Sequence, residues 1–163
     1  MSVLRYLALV ALSVWVGGLA ALGMAAPVLF GVLETRDPSA GRELGGLLFG
    51  AVFQQFQHVA WGLGLALLVS LGLRAAIGPQ PARFRLRMWV AAAMLAVSLA
   101  TALAITPRID DIRASVVGPI ASLRDNDNRK IAFNRLHGLA NGLMIVTVVL
   151  GLGLIWAEMR DQT

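Results

Sequence analysis

The chain has 163 residues, of which 58% are hydrophobic and 14% charged. A soluble domain carries about 45–50% apolar and about 25% charged residues. A domain this small has too little interior to hide such an excess, so the composition excludes a soluble globular fold and a disordered chain. The formal net charge is +5, from 14 Lys+Arg against 9 Asp+Glu. Those cations flank apolar stretches, so they read as topology and lipid head-group signals, and no nucleic-acid partner is expected. With no cysteine, disulfides, thiolate metal sites, iron–sulfur clusters and a Cys nucleophile are all excluded.

The apolar runs predict an all-α polytopic membrane protein: one domain over residues 1–163, with four transmembrane helices in a bundle at about 3–33, 45–73, 86–106 and 131–157. The first run begins near Arg5 and is longer than the apolar region of a signal peptide, about 7–15 residues, so it is expected to remain as a span. Pro27 should kink or end it. Asp37-Pro38 reads as a helix start, with Asp37 as N-cap. The segment Ser39–Gly50 carries Gly41, Gly45, Gly46 and Gly50, a spacing that lets another backbone approach closely. The connection from Arg74 to Arg87 holds Pro79, Pro81, Arg83 and Arg85 and no acid. The third span should end or bend at Thr106-Pro107. The polar stretch from Arg108 to Lys130 ends in Asp125-Asn126-Asp127-Asn128, helix-start chemistry for the fourth span. Trp89 and Trp156 lie near span ends, as interfacial anchors do, whereas Trp15 and Trp61 are deeper and read as packing. Glu158 and Arg160 read as a tail pair.

Polar groups at membrane depth usually face the protein interior or a cavity. On the second span Gln54, Gln57, His58 and Trp61 form one helical stripe, and on the fourth Asn134, His137 and Asn141 repeat that spacing. Counted from span starts near Ala51 and Ile131, the two histidines lie about 9–10 Å deep, and both helices enter from the same face. The pair His58 and His137 is therefore a candidate for the axial ligands of haem b, or for two nitrogens of a metal site. Gln54, Asn134 and Asn141 would orient the rings through their second nitrogens, and Arg108, Arg113 or Arg135 would pair with propionates. The alternative is interhelical hydrogen bonding that fixes helix register.

Pro27-Val28-Leu29-Phe30, Ala40-Gly41 with Leu48-Phe49, Thr106-Pro107-Arg108 and Phe133-x-Arg135-x-His137-Gly138-Leu139-x-Asn141 occur in that order. In these motifs the chain resembles the transmembrane protein 205-like family, four-span proteins of unknown activity. A eukaryotic member of that family is associated with platinum-drug resistance and vesicle traffic. The resemblance extends distantly to four-span copper-resistance and haem-handling membrane proteins that use intramembrane histidines. It supplies no catalytic residues.

Three functions fit these features. The first is a non-enzymatic membrane component or accessory subunit, with partner membrane subunits or a second copy against its apolar faces and the glycine-rich 41–50 segment. The second is haem or metal binding at the histidine pair. The third is a small-solute or drug-resistance transporter whose polar stripes line a pathway. The expected location is a bacterial inner membrane with both termini inside, because the acid-free 74–87 connection is dense in arginine.

Overall fold

Inside a bilayer no water is available to bond backbone N–H and C=O groups, so an apolar run must satisfy them within itself, and a helix does so. The computed structural model, which describes residues 2–38, 40–78 and 83–160, is helical throughout and has no strand among them. Ser39, Pro79 and Pro81 lie outside the described residues. The elements are α1 (Ser2–Arg36), α2 (Gly41–Ile77), α3 (Phe84–Ala100), a π turn (Thr101–Ile105), α4 (Thr106–Ala114), a short 3-10 turn (Ile120–Ser122) and α5 (Asn128–Arg160). With α3, the π turn and α4 taken as one rod, four helices are long and apolar enough to cross a membrane.

The rods close into a ring. Helix α1 packs on α2, α2 on α3, α3 on α5, and α5 on α1, which leaves α2 and α5 on a diagonal. Trp15, Leu12, Leu67, Leu71, Met94 and Leu154 form the buried centre. Trp89 and Trp156 are exposed on the outside, as interfacial anchors require. The Arg5 guanidinium donates to the backbone carbonyl of Glu158, so the start of α1 and the end of α5 lie at the same end of the bundle.

Local features refine the sequence expectation. Helix α1 does not end at Pro27 but continues to Arg36. Asp37 caps the entry to α2 as expected: its Oδ1 accepts the Ala40 N–H at 3.0 Å and its carbonyl accepts the Gly41 N–H at 2.7 Å, where α2 starts. A Cβ at Gly41 would stand 2.2 Å from the Leu33 carbonyl oxygen, and one at Gly45 would stand 2.8 Å from the Phe30 ring. Those two glycines are thus used inside the chain, where α2 turns back against α1, and not for a partner helix. The third rod also continues past Pro107 to Ala114. Ahead of that proline the Thr106 N–H bonds Thr101 O, five residues back. The widened turn places Pro107 in the first turn of α4, where its missing N–H and its ring are tolerated.

The 125–128 run behaves as its chemistry predicts. The Asp127 carboxylate accepts the Arg129 N–H at 2.8 Å and α5 begins at Asn128. The Arg129 guanidinium beside Asp127, and the Lys130 ammonium beside Asp125, hold both carboxyls below their ordinary range through hydrogen bonds and charge.

Candidate functional site

The two histidines occupy different environments. His58 is exposed on α2, with its ring edge-on to Trp61 at 5.1 Å. His137 is exposed on α5 and stacks on Phe133 at 5.6 Å, nearly parallel. Each imidazole therefore packs against an aromatic of its own helix. Gln57 borders the same small cavity as Ala140, Leu143, Met144 and Thr147. Gln54, Asn134 and Asn141 are exposed, as are Arg108 and Arg135. No hydrogen bond or ion pair joins these five to another described residue, and among the described residues no cluster of three or more potential metal ligands exists.

Only one member of the α2 stripe turns fully inward. Gln57 is buried, and its Oε1 accepts the Ser98 hydroxyl at 2.6 Å. Thr101 and Thr147, also buried, return their hydroxyls to carbonyls of their own helices. These four residues border a cavity of about 20 Å³ at the centre of the bundle. A water needs at least about 10–15 Å³, so this space suits one water and not a macrocycle.

The charged centre of the molecule lies elsewhere and involves a residue that sequence reading set aside. Glu158 is not a tail residue. Its carboxylate is 2% exposed and accepts Arg74 at 2.6 Å and Arg87 at 2.8 Å. Arg87 also donates to the Ala157 carbonyl at 3.0 Å. With Arg5 on the Glu158 carbonyl, one cluster joins α1, α2, α3 and α5 at the end of the bundle that carries both termini. The one signal in the sequence was that Glu158 follows an apolar run directly while three arginines sit at the matching ends of the other spans.

At the opposite end a cleft of about 660 Å³ opens between the end of α1, the start of α2, α4 and the start of α5. Glu34, Arg42, Glu43, Arg113, Lys130, Phe133 and Asn134 border it, with the 118–121 segment as its outer wall. Gly118 has φ 95°, a left-handed conformation that glycine adopts without strain, and Pro119 follows it as the chain turns along the cleft. Arg42 pairs with Glu34 at 2.7 Å, and Lys130 pairs with Asp125 at 2.9 Å. Arg113 has no carboxylate within ion-pairing distance among the described residues. Its guanidinium lies over the Phe133 ring at 5.8 Å. Among the described residues Arg108, Asp110, Asp111 and Arg113 form no ion pair with one another. Of the predicted site residues, Arg113 and Asn134 border this cleft, and His137 stands one helical turn beyond Phe133.

The Domain of unknown function (DUF4149) family matches residues 10–116, about two thirds of the chain, and the chain belongs to that family. No curated protein sequence and no solved structure matches it significantly.

Proposed function

We propose that this DUF4149 member is a non-enzymatic membrane component that works by packing against further membrane helices, of a partner subunit or of a second copy. The observation that carries this reading is the outer face of α2. Gln54, Gln55 and His58 are exposed there, well inside a 37-residue membrane-spanning helix. Polar side chains at that depth are expensive in lipid and ordinarily find a protein partner or a water-filled groove. Interhelical hydrogen bonds to such groups stabilise association by about 0.6 kcal/mol each on average, so several acting together with close packing give a specific contact. Asn141 and Gly142, exposed on α5, extend the same argument to a second face.

The closer kinship with the transmembrane protein 205-like family belongs to this proposal and rests on the Phe133–Asn141 motif. So does placement in a bacterial inner membrane with both termini in the cytoplasm, supported by Arg83 and Arg85 in the acid-free connection between α2 and α3. Haem or metal ligation by His58 and His137 would, from the positions of these rings, need residues of another chain to complete it.

The absence of native cysteine makes a direct test simple. Gln55→Cys, labelled with a benzophenone maleimide in native membranes and irradiated, should give a discrete protein adduct. The same label at Val149→Cys, on an apolar exposed position of α5, should give lipid adducts. Lipid adducts alone at both positions would overturn the proposal. An adduct of twice the chain mass would identify a second copy as the partner.

A further inference from the structure

The cleft at the α2 and α5 starts is separate from the packing face just described, and its chemistry is that of a ligand site. We propose that it binds a phosphate group, held by the Arg113 guanidinium with Arg42 and Lys130 on the rim. Arg113 is half-buried and borders the cleft. Its guanidinium carbon lies 5.8 Å from the centre of the Phe133 ring, and Gly46 leaves room beside Nη2, where a Cβ would stand only 3.0 Å away. A guanidinium holds its N–H donors in one plane, where they match two oxygens of one phosphate. Arg42 pairs with Glu34, and the Lys130 ammonium donates to the Asp125 carboxylate and to the Leu123 and Ala121 carbonyls, so both add positive potential at the rim without being free cations. Asn134 supplies a neutral amide to the same space.

Size and position narrow the ligand class. The volume of about 660 Å³ equals about twenty waters at ~30 Å³ each, far more than an inorganic phosphate fills. The wall also includes Phe133, Pro119 and Ile120, and the site lies where α1 ends and α2 and α5 begin, the level of lipid head groups. Two carboxylates, Glu34 and Glu43, border the cleft beside the three cations. A head group carrying an ammonium next to its phosphate would use both signs. The ligand class is thus a phosphate ester with an organic substituent, whether a phospholipid head group or a soluble phosphate compound.

The test uses the full chain in maltoside detergent, titrated calorimetrically with short-chain phosphatidylethanolamine, short-chain phosphatidylglycerol and inorganic phosphate. Arg113→Gln should weaken saturable binding by about tenfold or more, the effect of losing a charge-assisted bidentate contact. Arg124→Gln, a loop cation outside the cleft, should leave binding unchanged. Arg113→Lys keeps the charge and loses the planar fork, so it should fall between the two. Should Arg113→Gln fail to fold by circular dichroism and gel filtration, the Arg113→Lys result decides. Lipid binding that depends on Arg113 supports a head-group site, and phosphate binding with the same dependence supports a soluble source. No saturable binding of any probe, or equal affinity in wild type and the folded Arg113 variants, would overturn the proposal.

Discussion

Glu158→Gln removes the negative charge that the buried guanidiniums of Arg74 and Arg87 share. The carboxylate is 2% exposed and the side chains of Arg74 and Arg87 are 7% and 6% exposed, so solvent cannot take over its role. Breaking a buried ion pair by removing one partner typically costs about 3–5 kcal/mol, since the remaining charge stays buried without compensation. Here two guanidiniums lose that carboxylate together, and the whole of that range applies. For a chain of this size a loss of 1 kcal/mol lowers Tm by about 2–4 °C, which gives a fall of about 6–20 °C. The assay is thermal unfolding in detergent followed by fluorescence of Trp15, which is buried in the core. Glu158→Asp, a shorter carboxylate, should recover part of the loss. Replacing all three together, as Arg74→Met, Arg87→Met and Glu158→Leu, should come close to wild type, because a well-packed apolar substitute removes the desolvation penalty along with the attraction. A Glu158→Gln protein that melts within 2 °C of wild type would refute the argument that this carboxylate neutralises the cluster.

Gly151 and Gly153 make a paired prediction of opposite sign. A Cβ at Gly151 would stand 2.3 Å from Val16 Cγ2, on a β-branched side chain with little freedom to turn aside, so Gly151→Ala should destabilise by about 1–3 kcal/mol. Gly153 faces open space, and Gly153→Ala should stabilise by about 0.5–1 kcal/mol; denaturation of both variants checks the pair. Because the central cavity suits only one water, protein purified after expression with added haem precursor should show no Soret band that is lost on His137→Ala; such a band would reopen the axial-ligand reading. Asp125 and Asp127 have carboxyls held below their ordinary range by Lys130 and Arg129. Their contribution is complete above the ordinary carboxylate range and is lost as pH falls through the lowered values. Amide exchange at the first turn of α5 should therefore quicken only at strongly acidic pH, and Asp127→Asn should weaken that pH dependence, with Asp125 and Lys130 keeping the rest.

Much of the architecture is legible along the chain. Four long apolar runs give four rods, and the Asp127 cap gives the start of α5. The Asp37 signal was sound too: the aspartate caps the entry to α2, and Gly41 follows it where only glycine fits against the Leu33 carbonyl. Within the α2 stripe the spacing correctly grouped Gln54, Gln57 and His58 on adjacent positions. It could not say that Gln57 would turn inward to Ser98 while Gln54 and His58 stayed outside.

The reason lies in the solvent. In water a helix shows its buried face by an apolar stripe, but these rods are apolar nearly all round, since lipid and protein interior are about equally apolar. Length, helicity and the membrane as environment are set by sums along the chain, and the sequence alone determines them. The rotation of each rod is set by fit between rods: Gly151 against Val16, Gly45 against Phe30, Glu158 between Arg74 and Arg87. Such fit involves residues far apart in sequence. Only the tertiary structure therefore decided that Glu158 lies at the charged centre, that the imidazoles face different surroundings, and that Arg113 is left facing an open cleft.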